Sequence, residues 1–530
     1  MKKNYTDEFR SDLEKFNEIT DRFYNKEITV PEYKSFSGGF GSYAQRGGER
    51  SMLRLRLTGG EVTVSKIKFI ADSIEKYDIS MVHLTTCQTI QLHNLEKDTV
   101  CELAKEALEN DIITRGGGGD FPRNVMCTPL SGVEKAEKFD VIPYAKKTAE
   151  YLFGLINKVK LPRKLKVCYS NSEKNETHAT FRDLGFVAKD KGSFDVYAAG
   201  GLGIKPRFGV KVLEDIAPSK VLYAVKTMVD IFTTYGNYEK RAASRSRFLQ
   251  ETLGVEDFQK EFRDRFDKNI EQGGLDIEDV KTVKYDSNSI SSAASVENSD
   301  KTKSNSRVIS QKQEGLYAVH YHPVGGMVPT DFFKKIYDAI TSFRGTTEEE
   351  NDFDIKLRLS PDQGMYIINL NAAEAEKVLE ITSDGAENSF ECSTACIGAD
   401  ICQVGIGKSQ ALLKSCVDRV RKENFADGVL PSIHISGCPS SCSAHQTADI
   451  GLRGGMKQTD DGPKPSFTLF ENGCDYQGEE RMGDELGVLT VDEIPEFFVM
   501  LGKRISSENM TYREFIKKYP DELKKLINEV

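Results

Sequence analysis

Four cysteines in the C-terminal third fall into two short clips, Cys396-x5-Cys402 and Cys438-x3-Cys442. Four thiolates so arranged can hold a cubane iron–sulfur cluster. The second clip lies in Ser436-Gly437-Cys438-Pro439-Ser440-Ser441-Cys442. Gly437 and Pro439 favour a tight turn there, with backbone N–H groups free to face sulfur. Zinc competes with this reading, although structural zinc sites favour tighter clips in both pairs. Reduced core cysteines are the third reading, because free cysteine is commonly buried.

A second set of residues carries fixed positive charge: Arg123, Arg163, Lys164 and Lys166. Lys164 and Lys166 alternate, so on an extended chain they point to the same side. They form either a solvated strand face or a pocket that neutralises a small oxyanion and supplies protons. The glycine runs Gly116-Gly117-Gly118-Gly119 and Gly200-Gly201-Leu202-Gly203 match neither a P-loop nor a dinucleotide fingerprint. They suit a close backbone approach to a large planar cofactor, or a plain loop.

The elements that must position these residues read as α+β with mixed sheets. Leu53-Arg54-Leu55-Arg56-Leu57 alternates as a half-buried strand. Ser65 is the expected cap of a helix whose apolar stripe is Ile67, Ile70, Ile74 and Tyr77. Strands are expected at 82–84 and 89–92, and the pattern returns at 353–359 and 365–368. Residues 285–313 are rich in Ser, Asn, Lys and Asp and read as a flexible linker. The segments flanking it look like diverged copies. Leu161–Cys168 resembles Leu430–Gly437, Arg182–Phe186 resembles Ala448–Leu452, Phe194–Tyr197 resembles Phe467–Phe470, and Arg207–Gly209 resembles Arg481–Gly483, in the same order. Such duplication implies a pseudo-twofold with a shared site between the copies, the lysines facing the Cys438–Cys442 turn. Cys127 is the one cysteine that the first copy keeps at a matching place.

The chain of 530 residues is too long for one core. Hydrophobic residues at 38% and charged residues at 29% describe a globular protein. A net charge of −10 argues against a general nucleic-acid-binding surface. No membrane span and no secretory leader are expected, and eleven cysteines suit a reducing cytoplasm.

With the cysteine clips, Leu84-Thr85-Thr86-Cys87-Gln88-Thr89-Ile90-Gln91-Leu92-His93, Pro122-Arg123-Asn124-Val125, Leu161–Lys166 and Gly200–Gly203 complete a pattern that resembles the siroheme-dependent nitrite and sulfite reductases. The resemblance spans about residues 36–525. It implies a duplicated fold in which each half has a small ferredoxin-like unit and a larger mixed-sheet unit around one siroheme/[4Fe–4S] site. The implied divisions are an extension 1–46, a half-domain 47–112, a siroheme-binding domain 113–284, the linker 285–313, a half-domain 314–384 and a [4Fe–4S]/siroheme domain 385–530. Cys396, Cys402, Cys438 and Cys442 would hold the cluster, and Cys442 would also bridge to siroheme iron. Arg123, Lys164 and Lys166 would bind the anion and deliver protons. Arg54 and Arg56, with Arg241, Arg245 and Arg247, are candidates for the siroheme carboxylates. Cys87 stands where such proteins usually carry arginine, and Ser440-Ser441 replaces the more common Asn-Gly or Asn-Ser.

The implied activity is six-electron reduction of a small oxyanion. Lys164-x-Lys166 favours sulfite over nitrite, and Cys87 leaves a non-catalytic siroheme/cluster protein as the alternative of another class. No flavin or nicotinamide motif is present, so a separate donor such as ferredoxin or a flavoprotein is expected.

Overall fold

The computed structural model describes residues 5–278, 280, 305–345, 351 and 353–530. Four five-stranded sheets form two similar pairs. The first small sheet runs in the order Ser42–Ala44, Ser51–Arg56, Thr89–Leu95, Met81–Leu84 and Met327–Val328. The second runs Val308–Ser310, Tyr317–Tyr321, Met365–Leu370, Lys356–Leu359 and Glu61–Val62. Each sheet is thus completed by a two-residue strand from the other copy. Both exchanged strands leave a glycine pair, Gly59-Gly60 and Gly325-Gly326, with φ between +63° and +73°. A β-carbon at Gly60 would lie 2.5 Å from the Leu359 carbonyl oxygen, so only glycine allows that crossing.

The helices Val64–Lys76 and Phe332–Arg344 pack on each other between the small units. Ile67, Ile70 and Ile74 are buried as their spacing predicts. Ser65 lies inside its helix; the cap position is Thr63, whose hydroxyl meets Ser65 Oγ at 3.0 Å instead of a backbone N–H.

The two large sheets also correspond. In the first, Met126–Cys127, Val167–Ser170 and Leu184–Ala188 run parallel, and Phe194–Ala198 and Val210–Ile216 continue antiparallel. In the second, Thr394–Ala395, Ile433–Ser436 and Ile450–Thr459 run parallel, followed by Gly462–Glu471 and Asp484–Thr490. Cys168 pairs with Gly185 and His434 with Gly451, so Cys168 corresponds to His434. The expected match of Leu161–Cys168 to Leu430–Gly437 is therefore out of step by three residues. The shared Leu-Pro precedes these strands at different distances. Thr128, not Cys127, stands opposite Cys396: its N–H bonds Tyr169 O as that of Cys396 bonds Ile435 O.

Two expected boundaries move. Ser42–Ala44 is already part of the first small sheet. Val308–Ser310 pairs with Tyr317–Val319, so the linker read over 285–313 ends before 308. Its residues 285–304 lie outside the described residues. One large core runs through both small units and the first large sheet, and a separate core fills the C-terminal unit.

Candidate active site

The copies meet around a cavity of about 290 Å³. One wall comes from the first copy, with Lys164, Lys166, Arg182 and Arg245. Opposite stands the Ser440–Ala444 turn with Cys442. Leu165 N–H and Arg123 N–H tie this edge to Phe121 O and Leu165 O, holding the segment extended just before the strand Val167–Ser170. Both lysine side chains therefore point one way, as alternation requires. Among the described residues neither lysine meets a carboxylate. Burial pushes the Lys164 ammonium well below its ordinary pKa, and Arg245, Lys166 and Arg123 push it further. Lys166 is lowered by burial too, against the opposing pull of Cys87.

Cys87 lies just behind this wall and packs against Met126, Cys168, Ala179 and Val187. Lys166 and Arg182 are the cations that act on its thiol most strongly. Burial alone would raise it; Lys166 and Arg182 outweigh burial and bring it down to about 6. Thr86 next to it donates to Cys442 O at 2.8 Å, joining the copies.

The thiol side is built from two turns. Gly437 N–H donates to Cys396 Sγ at 3.1 Å, and Ser409 Oγ stands 3.1 Å from the same sulfur. Ile406 and Gly407 N–H both reach Gly437 O at 2.8 Å, laying the Cys402 loop against the Cys438 turn. Arg46 closes that loop from the first copy, bonding Cys402 O at 3.1 Å and Gly405 O at 2.8 Å. Burial and the neighbouring Cys396 and Cys438 push Cys442 up to about 12. Cysteines that resist ionisation in one another's presence need a cationic partner to become thiolates together. Among the described residues no three His, Cys, Asp or Glu side chains converge as ligands of a single ion. A cubane spreads its ligands over several irons, so this donor set, with N–H groups on sulfur, fits it.

The arginines divide sharply. Arg54 donates to Gly117 O at 2.6 Å. Arg56 is buried, donates to Arg115 O and Arg123 O, and stacks over Phe153 at 4.5 Å. Neither lines the cavity; both brace the 115–123 loop. Arg123 is similarly held, by Gly117 O at 2.8 Å and Gly119 O at 2.9 Å, and does not line the cavity. Arg241 pairs with Asp120 at the surface, and Arg247 bonds Ile204 O and Lys205 O. Arg245 does line the cavity, paired with Asp183. The run Gly116–Gly119 approaches the protein's own backbone: a β-carbon at Gly118 would lie 2.4 Å from Gly38 O. Gly201 and Leu202 line the cavity, and Gln446 clamps Gly203 through bonds at 2.8 and 3.1 Å.

Sequence reasoning missed Arg182, His178, Glu176, Asp362 and Asp475, which all line the cavity. Arg182 Nη2 donates to His178 Nδ1 at 3.3 Å, and His178 Nε2 meets Asp475 Oδ2 at 3.1 Å. Burial, Glu134 and Asp362 raise Glu176 to about 7. Glu176, His178 and Arg182 lie on one segment, and the fold brings Asp362 and Asp475 of the second copy to them. Among the described residues no helix is long and apolar enough to cross a membrane.

Family models match the chain twice: the nitrite and sulphite reductase 4Fe-4S domain over residues 118–270, and the nitrite/sulfite reductase ferredoxin-like half domain over 43–110. The chain is 25% identical over 452 residues to the assimilatory ferredoxin-dependent nitrite reductase of Haloferax mediterranei, covering 79% of this chain and 74% of that one. It is 23% identical over 492 residues to the sulfite reductase [NADPH] hemoprotein beta-component of Bacillus pumilus, covering 83% and 80%. Among solved structures, the NirA protein of Mycobacterium tuberculosis superposes with a TM-score of 0.73 at 20% identity, covering 94% of this chain and 92% of that one. That likeness carries the fold.

Proposed function

The chain belongs to the nitrite and sulfite reductase family, and from that premise we propose that it reduces a small sulfur or nitrogen oxyanion by six electrons in the cavity between its copies. Its cofactors are siroheme and a [4Fe–4S] cluster. Cys396, Cys402, Cys438 and Cys442 are the proposed cluster ligands, with Cys442, which lines the cavity, also reaching siroheme. When bound, the two groups supply the electrons.

The observation that carries this reading is the pair of half-buried ammonium groups that line the cavity without a carboxylate partner among the described residues. A buried charge left unpaired is costly, so a site that keeps Lys164 and Lys166 there is built for an anion that arrives. Their depressed pKa makes each a stronger acid than a surface lysine, ready to give a proton as an N–O or S–O bond breaks. Arg123, bound to backbone carbonyls, supports the pocket from behind.

Sulfite is the favoured substrate on the strength of two adjacent lysines, which suit a dianion. One observation favours nitrite: Cys87, whose pull on Lys166 opposes that of burial, offsets part of that charge. A non-catalytic role finds no support among relatives named as reductases. The electron donor is a separate protein, ferredoxin or a flavoprotein, acting in the cytoplasm.

The test is turnover of sulfite and of nitrite by the holoenzyme with a chemical one-electron donor, for the natural chain and for Lys164→Met. Turnover should fall about ten- to a hundredfold with full cofactor absorbance, the loss of one charged hydrogen bond in a dry site. Unchanged turnover of both anions in Lys164→Met would overturn the assignment.

A further inference from the structure

The cavity-lining arginines are Arg182 and Arg245. Arg245 is already matched by Asp183, a fully buried carboxylate that also accepts from Ser246. Arg182 has no carboxylate partner among the described residues. Its Nε donates to Thr177 O at 3.1 Å and its Nη2 to His178 Nδ1 at 3.3 Å. Those two bonds aim the planar group and leave Nη1 without a protein acceptor. Nη1 keeps accessible surface of its own. Lys164 and Lys166 line the same cavity.

The nearest other guanidiniums cannot take this role. Arg123 has both Nη groups on carbonyl oxygens, and Arg54 gives its Nη1 to Gly117 O. His178 in turn meets Asp475 of the second copy, so the direction of Arg182 is set from both sides of the pseudo-twofold.

We propose that Arg182 binds the substrate oxyanion together with Lys164 and Lys166. This rests on the reading of the cavity given above. A guanidinium offers parallel N–H donors that match two oxygens of one anion, which a lysine cannot do. The site therefore takes an anion with at least two oxygens on one centre. Nitrite and sulfite meet that condition; cyanide and sulfide do not.

The test is equilibrium binding of sulfite and of nitrite to the oxidised holoenzyme without a donor, followed by calorimetry. Arg182→Gln should weaken both by about ten- to a hundredfold. Arg182→Lys keeps the charge and loses the fork, so it should fall between. Natural-strength binding in Arg182→Gln, with binding lost in Lys164→Met, overturns the role of Arg182 and leaves the cavity reading intact. Natural-strength binding in both variants overturns the cavity reading itself. If Arg182→Gln does not fold, Arg182→Lys decides: natural affinity for both anions would refute the bidentate contact.

Discussion

At the scale of single residues, chemistry in this protein depends on which groups are left unpaired. Lys164 and Lys166 read in the sequence as either a solvated strand face or an anion pocket, and the fold half-buries them against a cavity and, among the described residues, gives neither a carboxylate. Arg54 and Arg56 look just as available, yet backbone carbonyls consume them. The cysteines separate on the same basis. Cys416 sits in the core of the C-terminal unit with its thiol raised by burial alone to a value that keeps it protonated. Cys442 borders the cavity, and its neighbours are Cys396, Cys438 and Lys164. Cys442→Ser should abolish the electronic coupling between cluster and siroheme, read by electron paramagnetic resonance of the reduced protein. Cys416→Ala should leave both cofactors in place. Full coupling in Cys442→Ser would remove that cysteine from the bridging position.

At the scale of elements, two glutamines hold the copies together. Gln88 Nε2 donates to Cys127 O and Leu359 O, while its Oε1 accepts from Cys127 N–H. Gln363 Nε2 donates to Leu84 O and Ala395 O, and its Oε1 accepts from Ala395 N–H. The two networks are images of each other across the pseudo-twofold, and both side chains are buried. Gln88→Leu would take the side-chain partner from three backbone groups, and Gln363→Leu from Leu84 O and Ala395 N–H, while Ala395 O keeps Gln410 Nε2 at 2.9 Å; each group left unpaired costs about 1–3 kcal/mol before any relaxation. Either variant should unfold in less denaturant than the natural chain, and a midpoint that does not move would show that the networks are replaceable.

These elements also show what sequence could reveal. Alternation located Ser51–Arg56 and Thr89–Leu95, and helical spacing located Val64–Lys76, because each has a face to bury. The exchanged strands Glu61–Val62 and Met327–Val328 are too short for any period. The joining role of Gln88 and Gln363 was not legible, because their partners are backbone groups, which leave no side-chain signature. The cysteine clips were legible because ligand spacing is local. Arg182 was not, because the cavity it faces is assembled from other segments.

For the whole molecule, duplication supplies a frame that the two copies fill with different chemistry. His178 and Ala444 are both left-handed residues ahead of matching turns, at Ala179–Phe181 and His445–Thr447. By that register Glu176 in the first copy corresponds to Cys442 in the second. The matching glutamines likewise pair Cys87 with Asp362. One copy contributes cations and the other thiols, and the cavity exists only while the copies stay docked.

That docking has an acid limit. His83 lies on the strand Met81–Leu84, beside the exchanged strand that contains Met327. Its Nε2 accepts from Gln363 Nε2 at 2.8 Å, which leaves Nδ1 to donate to Gln91 Oε1. Protonating Nε2 would set two donors against each other. His93 lies one strand over, rings 6.2 Å apart, its own Nε2 buried without a partner. Burial lowers His83 to about 4, and burial with His83 lowers His93 to about 3. In the unfolded chain both titrate near 6.5. The unfolded state therefore binds protons that the folded state refuses. The stability held by neutral histidine is complete above about pH 6.5 and is lost as pH falls toward the folded values. With both rings contributing, unfolding free energy should drop by up to about 3 kcal/mol per pH unit between pH 6 and pH 4. Urea unfolding of the natural chain and of His93→Gln at pH 7, 6 and 5 measures this directly. The variant should lose less stability on acidification, by about 1.4 kcal/mol per unit where one proton is no longer taken up. Equal slopes in the two proteins would mean that His93 is not held neutral, and that the acid limit of the junction lies elsewhere.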